Sequence, residues 1–225
     1  MFSILSLIRN GQILETVIVV LSRCFIVFCC MPVHELAHGW VAYKLGDNTA
    51  KNQGRLSFNP LAHLSPIGTV MIFLFGIGYA KAVPVNPNNF KNPKQGMALT
   101  ALAGPVSNII MSFISIWIAY IFAALLPYGT FASVLIYFFY FAANVNVVLA
   151  VFNLFPIPPL DGSKILAAVL PDEIYYKYMQ YERYVMIVLL ALLFFGVLDI
   201  PISWLSDKLL DLISFVPRLI FKIEL

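Results

Sequence analysis

Two histidines and a glutamate within one apolar stretch carry the most distinctive chemistry of this sequence. His34 and His38 stand four residues apart in MPVHELAHGW, and Glu35 follows the first of them. Residues four apart share one face of an α-helix, so both imidazoles would point the same way. In this H-E-x-x-H pattern two imidazoles typically bind zinc and the glutamate activates a water molecule. The spacing therefore predicts a zinc-dependent hydrolase.

The apolar surroundings of this motif bear on the choice between catalysis and helix packing. A charged group at the centre of a membrane costs on the order of a few kcal/mol, and polar groups placed there are usually functional and partnered. The alternative is a polar cluster that joins neighbouring helices through hydrogen bonds. A packing cluster would not need Glu35, so we favour catalysis.

A third metal ligand is expected, because a catalytic zinc commonly has three protein ligands and one open position. Among the eleven acidic residues, only Glu35 and Asp161 lie in strongly apolar surroundings away from other charges. Asp161 follows three prolines that must break the preceding helix: Pro156, Pro158 and Pro159. We predict that Asp161 binds zinc. The alternative is an N-cap on a short helix over 162–170, and the two roles are compatible.

His63, in NPLAHLSP, is the third and last histidine of the sequence. A fourth protein ligand would close the metal site, whereas a catalytic zinc keeps a position open. We therefore interpret His63 as a loop histidine that bonds to backbone, with a ligand role as the alternative.

The elements that position these residues are membrane helices. Hydrophobic residues make up 61% of the 225 residues and charged residues 11%, far from the averages of soluble proteins. A helix needs about 20 apolar residues to cross a bilayer. Four runs are candidates: 14–43, 97–126, 131–155 and 184–200. The predicted fold class is an all-α polytopic membrane protein.

A fifth apolar stretch, 64–80, is short and contains Pro66, Gly68, Gly76 and Gly78. We predict a re-entrant loop there rather than a span. The following segment, 81–96, is rich in proline and asparagine, which favours turns and extended chain.

The basic residues predict the orientation of the chain in the membrane. If the loop after the first span is cytoplasmic, nine of the fourteen basic residues lie inside. They are Lys44, Lys51, Arg55, Lys81, Lys91, Lys94, Lys164, Lys177 and Arg183. The formal net charge of +3 gives no indication of a nucleic-acid partner.

Three motifs, in order, resemble those of the site-2 proteases, which are intramembrane zinc metalloproteases with a core of three transmembrane helices. They are HELAH at 34–38, AGPVSN at 103–108 and NLFPIPPLDG at 153–162. The segments GRLSFNPLAHLSPIGT at 54–69 and KAVPVNPNNF at 81–90 are similar to short members of this family that lack PDZ and CBS domains.

The resemblance implies roles for individual residues. His34, His38 and Asp161 would bind one Zn²⁺ per chain, and Glu35 would be the catalytic base. Asn153 is implied to lie near the metal, where it would hold the substrate or stabilise the oxyanion. Asn108 belongs to the motif of the second core helix and is grouped with Asn153 as a substrate or oxyanion residue.

The expected protein is one membrane-embedded domain over 1–225, with its core at about 14–170 and a further transmembrane helix and amphipathic tail at about 184–225. The resemblance implies cleavage of peptide bonds within or near transmembrane segments of other proteins, in the plasma membrane of a prokaryote, with the active site nearer the cytoplasmic face. The alternative is a metal transporter or sensor that uses the same site. Transporters often contain inverted repeats, and no repeat is visible.

Overall fold

The computed structural model describes residues 4–75, 78–127, 129–171, 173–174 and 180–225. Helices dominate, and these described residues contain no β-strand. The chain forms two compact units, residues 1–96 and residues 97–225. Within the described ranges, three helices are long and apolar enough to cross a membrane: Val19–Lys44, Pro93–Leu125 and Thr130–Leu154. The predicted all-α polytopic membrane protein is confirmed.

The first unit begins with a short helix, α1 (Ile4–Arg9), and continues through α2 (Ile13–Phe25) into the motif helix α3 (Met31–Lys44). A five-residue π-helical turn, Ile26–Cys30, joins α2 to α3 within the first span. Pro32 follows this turn and has no N–H, so the regular bond to residue 28 cannot form. The wider turn accommodates this missing donor two residues before His34.

The predicted re-entrant stretch contains a helix, α5 (Pro66–Phe75), of only ten residues, too few to cross a bilayer. Residues 76 and 77 lie outside the described ranges. A β-carbon at Gly68 would collide with the backbone of Tyr79, and one at Gly78 with the carbonyl of Gly68. The chain after α5 therefore returns alongside the start of the same helix, as a re-entrant loop requires.

Arg23, a basic residue inside the first span, is 7% exposed and donates a hydrogen bond to the carbonyl oxygen of Phe73. Phe73 lies in the last turn of α5, where helix carbonyls lack intrahelical partners and a cation is favourable. This charge within the apolar span is therefore engaged with the end of the re-entrant helix.

Two shorter elements complete the first unit. The helix α4 (Thr49–Asn52) follows α3 after a tight turn, and 3₁₀ turns lie at Pro60–Ala62 and Pro87–Asn89. Residues 78–86 form neither helix nor strand, and the backbone is extended at Asn86, in agreement with the proline and asparagine content of this segment.

The second unit contains the two long spans, α6 (Pro93–Leu125) and α7 (Thr130–Leu154), followed by α8 (Asp161–Val169). Two further helices follow, α9 (Glu182–Phe194) and α10 (Asp199–Phe221). The buried apolar core joins α6, α7 and α10 through Ile116, Tyr120, Ala143, Val147, Val151, Leu210 and Ile213.

The predicted fourth span over 184–200 is interrupted. The helix α9 ends at Phe194, and Gly196 adopts a positive φ of 70° before α10 begins at an angle of 80°. Thirteen residues are too few for one crossing. Only the two helices together have the length and composition of one broken span. Lys177, one of the predicted topology signals, lies outside the described residues.

Candidate metal centre

The two motif histidines face each other on one side of α3. Their Nε2 atoms are 3.0 Å apart, and their ring planes meet at 87° with centroids 4.6 Å apart. Both side chains are 8% exposed. The predicted placement of the two imidazoles on one helix face is confirmed.

This pair suits a zinc ion. A tetrahedral zinc with bonds to histidine nitrogen of about 2.0–2.1 Å separates two such nitrogens by about 3.3 Å. The observed 3.0 Å is close to that value, and imidazole nitrogen is a preferred zinc donor. The two histidines therefore fit the metal that the sequence pattern indicates.

Glu35 contacts the backbone of the segment 81–86. Its Oε2 atom accepts a hydrogen bond from the backbone N–H of Val83 at 2.9 Å. Val83 belongs to the extended segment 81–86, which lies against α3 at this point. A β-carbon at Gly39 would stand 3.1 Å from Val83 Cγ1, so α3 has a side-chain-free surface where Val83 packs.

Asp47, just beyond the end of α3, holds the same segment further along and was not identified from the sequence. Its carboxylate is fully buried and accepts four hydrogen bonds. They come from Thr49 N, Thr49 Oγ1, Asn86 N and Asn89 Nδ2. Burial acts to raise the pKa of Asp47, but these hydrogen bonds outweigh it and hold the pKa below its ordinary value.

His63 is fully buried, and its Nε2 lies 2.8 Å from the carbonyl oxygen of Ser57. Its own carbonyl oxygen accepts a hydrogen bond from Lys81 N at 2.8 Å. These bonds agree with the interpretation of His63 as a loop histidine that bonds to backbone. They also fix the start of the segment 81–86.

Asp161 lies in the second unit as the first residue of α8, and it is 6% exposed. The capping position before it is occupied by Leu160, so the predicted N-cap role for Asp161 is wrong by one residue. Its Oδ1 atom pairs with Lys164 Nζ at 3.4 Å. A β-carbon at Gly162 would collide with the carbonyl oxygens of Leu154 and Phe155, so glycine allows α8 to begin tightly against the end of α7.

The two asparagines implied by the resemblance also lie in the second unit. Asn153 is half-buried near the end of α7, and its Nδ2 donates to the carbonyl oxygen of Leu149 at 2.9 Å. Asn108 is fully buried in α6, and neither polar atom of its amide has a hydrogen-bond partner among the described residues. The structure leaves the predicted role of both residues untested.

Comparison with known proteins gives a consistent set of relatives. The model of Peptidase family M50 matches residues 121–196. The protein named "Putative zinc metalloprotease YwhC" from Bacillus subtilis is 45% identical over 165 residues, which is 71% of this chain and 74% of that protein.

Two more distant relatives carry similar names. "Putative zinc metalloprotease MJ0611" from Methanocaldococcus jannaschii is 31% identical over 59% of this chain and 62% of its own length. "Putative zinc metalloprotease Rip2" from Mycolicibacterium smegmatis is 27% identical over 58% of this chain and 50% of its own length. No solved structure gave a significant match.

Proposed function

The chain belongs to peptidase family M50, the family of the site-2 proteases, and on that premise we propose that it hydrolyses peptide bonds within or near the transmembrane segments of other membrane proteins. The observation that carries the proposal is the buried pair of histidine Nε2 atoms 3.0 Å apart on α3, with Glu35 adjacent in sequence. This arrangement supports a metal centre with a carboxylate base beside it, inside a helix that has the length and composition of a span.

The chemistry of the reaction is divided between the metal and the protein. When bound, zinc lowers the pKa of a water molecule and polarises the scissile carbonyl. Glu35 accepts the proton of the attacking water and delivers it to the leaving amine. The hydrogen bond from Val83 N holds one carboxylate oxygen of Glu35 and leaves the other for this transfer.

Three protein ligands per zinc ion are proposed: His34, His38 and Asp161. The chemistry of Asp161 supports this assignment, since its side chain is buried and a carboxylate oxygen is a common zinc donor. Its position directly after the broken end of a spanning helix also supports it, because irregular backbone at membrane depth lines a cavity. One Zn²⁺ per chain is expected.

Asn153 and Asn108 are proposed to contact the substrate or to stabilise the oxyanion. The Nδ2 atom of Asn153 carries two hydrogens, and the bond to Leu149 uses one of them. The amide of Asn108 lies buried with both polar atoms unbonded within the described structure, which is costly unless a ligand engages it.

The substrate must unwind locally, since a helix hides its amides in internal hydrogen bonds. The extended segment 81–86 suits an unwound partner. Its Lys81 and Val83 N–H groups bond inward, whereas Ala82 is exposed and faces away from those bonds. An extended substrate is proposed to pair with this outer edge as an added strand.

A substitution at Glu35 tests the proposed reaction. Glu35→Gln keeps an oxygen that accepts the Val83 N–H but loses the proton acceptor. We expect the variant to retain zinc and to cleave a model transmembrane substrate at least about a hundredfold more slowly than wild type, the scale of general acid–base catalysis. The measurements are zinc content by mass spectrometry and cleavage in liposomes.

The matched control is Glu182→Gln, the same exchange at the start of α9 and outside the H-E-x-x-H motif of the sequence. It should cleave at the wild-type rate. Full activity in Glu35→Gln would refute the proposed role of the carboxylate. Loss of zinc together with activity would make Glu35 a ligand or a structural residue, and a wild-type protein that moves zinc across the bilayer without proteolysis would favour a transporter.

A further inference from the structure

Segment 81–86 is fixed at three points to residues of the first unit, and one of these points is on the motif helix α3. The carbonyl oxygen of Lys81 accepts from Arg55, and its N–H donates to His63 O at 2.8 Å. Val83 N–H donates to Glu35 at 2.9 Å. Asn86 N–H donates to Asp47 Oδ2 at 2.7 Å. Two of these three anchors are carboxylates. Glu35, the proposed base, holds Val83, and Asp47 holds Asn86.

Asp47 is rigidly attached to the helix that carries the proposed base. Gly46 adopts a positive φ of 109°, and Asp47 N–H bonds back to Ala42 O at 2.9 Å, so the chain closes tightly over the end of α3. The position of the Asp47 carboxylate is therefore set by α3, as is that of Glu35.

The link from Asn86 back to Val83 is short and stiff. Pro84 has a fixed φ and no N–H, and Pro87 follows Asn86 directly. Only two residues, Pro84 and Val85, separate the two anchored amides, so a shift at Asn86 is transmitted to Val83 instead of being absorbed by a flexible loop.

We infer that Asp47 is a positioning residue for the reaction: its buried carboxylate clamps Asn86 and thereby keeps the Val83 N–H on Glu35, which fixes the direction of that carboxylate. The inference rests on the proposed function. Asp47 lies twelve positions after Glu35 in the sequence, and in the contacts above its side chain touches neither Glu35 nor the histidines. Its contribution to turnover therefore passes through Asn86 and Val83.

Asp47→Asn cuts this clamp selectively. The four donors use both carboxylate oxygens: Thr49 and Asn89 bond to Oδ1, and Asn86 bonds to Oδ2. An asparagine can keep its oxygen on the Oδ1 side, but its NH₂ group then faces the Asn86 N–H, so two donors oppose each other. The anchor at Asn86 is lost while the local turn at Thr49 is kept.

The test compares this variant with two others. Thr49→Val is the matched control, because it removes one donor to Oδ1 at 2.5 Å and leaves the Asn86 anchor intact. Val83→Pro removes the N–H that reaches Glu35 and leaves Asp47 untouched. For each protein we would measure zinc content, kcat and KM on a model transmembrane substrate, and amide hydrogen exchange of a peptide covering 81–90.

We expect Asp47→Asn to bind zinc as wild type does, to exchange its 81–90 amides faster, and to lose about tenfold to a hundredfold in kcat with KM changed less than about twofold. Val83→Pro should show the same loss in kcat. Thr49→Val should match wild type in all three measurements. A kcat effect without a KM or zinc effect is the signature of a misdirected base, which general destabilisation does not produce.

Three results would overturn the inference. They are unchanged exchange in Asp47→Asn, faster exchange with wild-type kcat, and loss of zinc or folding in both Asp47→Asn and Val83→Pro. A wild-type protein that shows the protected 81–90 amides but cleaves nothing would refute the proposed function and the positioning role together. An active wild type with an unaffected Asp47→Asn would refute the positioning role alone.

Discussion

The angular positions of residues on α3 give the two motif histidines and Glu35 different directions around the helix. Residues four apart are turned by about 40° and adjacent ones by about 100° around a helix of 3.6 residues per turn. His34 and His38 therefore converge, whereas Glu35 turns toward Val83. The Val83 N–H bonds to Oε2 of Glu35, and this contact supports the proposed role of Glu35 as a base and not a metal ligand.

Asp161 allows a sharp test at the scale of one residue. Asp161→Ala should reduce bound zinc from about one per chain to well below half, since it removes a proposed ligand. The change also breaks the ion pair with Lys164, so Lys164→Gln is the matched control. That pair is partly exposed and contributes at most about 1 kcal/mol, so Lys164→Gln should keep its zinc. Stoichiometric zinc in Asp161→Ala, measured by mass spectrometry, would remove Asp161 from the site.

At the scale of elements, the features that can be predicted from the sequence are those that depend on local, periodic patterns of residues. Apolar runs of sufficient length identify the three long spans, and helical spacing places His34 and His38 together. The bond between Asp47 and Asn86 joins residues 39 positions apart and leaves no such pattern. The break at 195–198 also escapes prediction, because Gly196 sits within an unbroken apolar run and only its positive φ reveals the bend.

The junction of α7 and α8 depends on a glycine. Gly162→Ala places a β-carbon against the carbonyl oxygens of Leu154 and Phe155, so the start of α8 must move. We expect a loss of about 1–3 kcal/mol in stability, seen as a melting temperature lower by about 2–4 °C per kcal/mol. Weaker zinc binding should accompany it. Gly129→Ala is the control, since no atom lies within 4 Å of its added β-carbon and its φ of 170° is extended. Equal melting temperatures for the two variants would contradict this packing argument.

At the scale of the whole molecule, the basic residues predict how the chain lies in the bilayer. The loop between the first two spans, together with the two span ends that flank it, carries six of them: Lys44, Lys51, Arg55, Lys81, Lys91 and Lys94. The short connection between α6 and α7 carries none. The positive-inside rule predicts that the first loop is cytoplasmic, and this orientation and the single-domain organisation over 1–225 both stay predictions.

Cysteine labelling in intact cells tests this orientation. The background has Cys24, Cys29 and Cys30 replaced by alanine. Single cysteines at Asn52 and Lys91 should react with a membrane-impermeant maleimide only after the cells are opened, because both positions are exposed and lie on the loop that is predicted to be cytoplasmic. They flank α5, so equal behaviour means that the chain enters and leaves the membrane on one side. A cysteine at Thr130, exposed at the start of α7, is the matched control and should react in intact cells. Reaction of only one of the two loop positions from outside would show that the 64–80 stretch is a full span. Reaction of both from outside would show that the protein has the opposite orientation in the membrane.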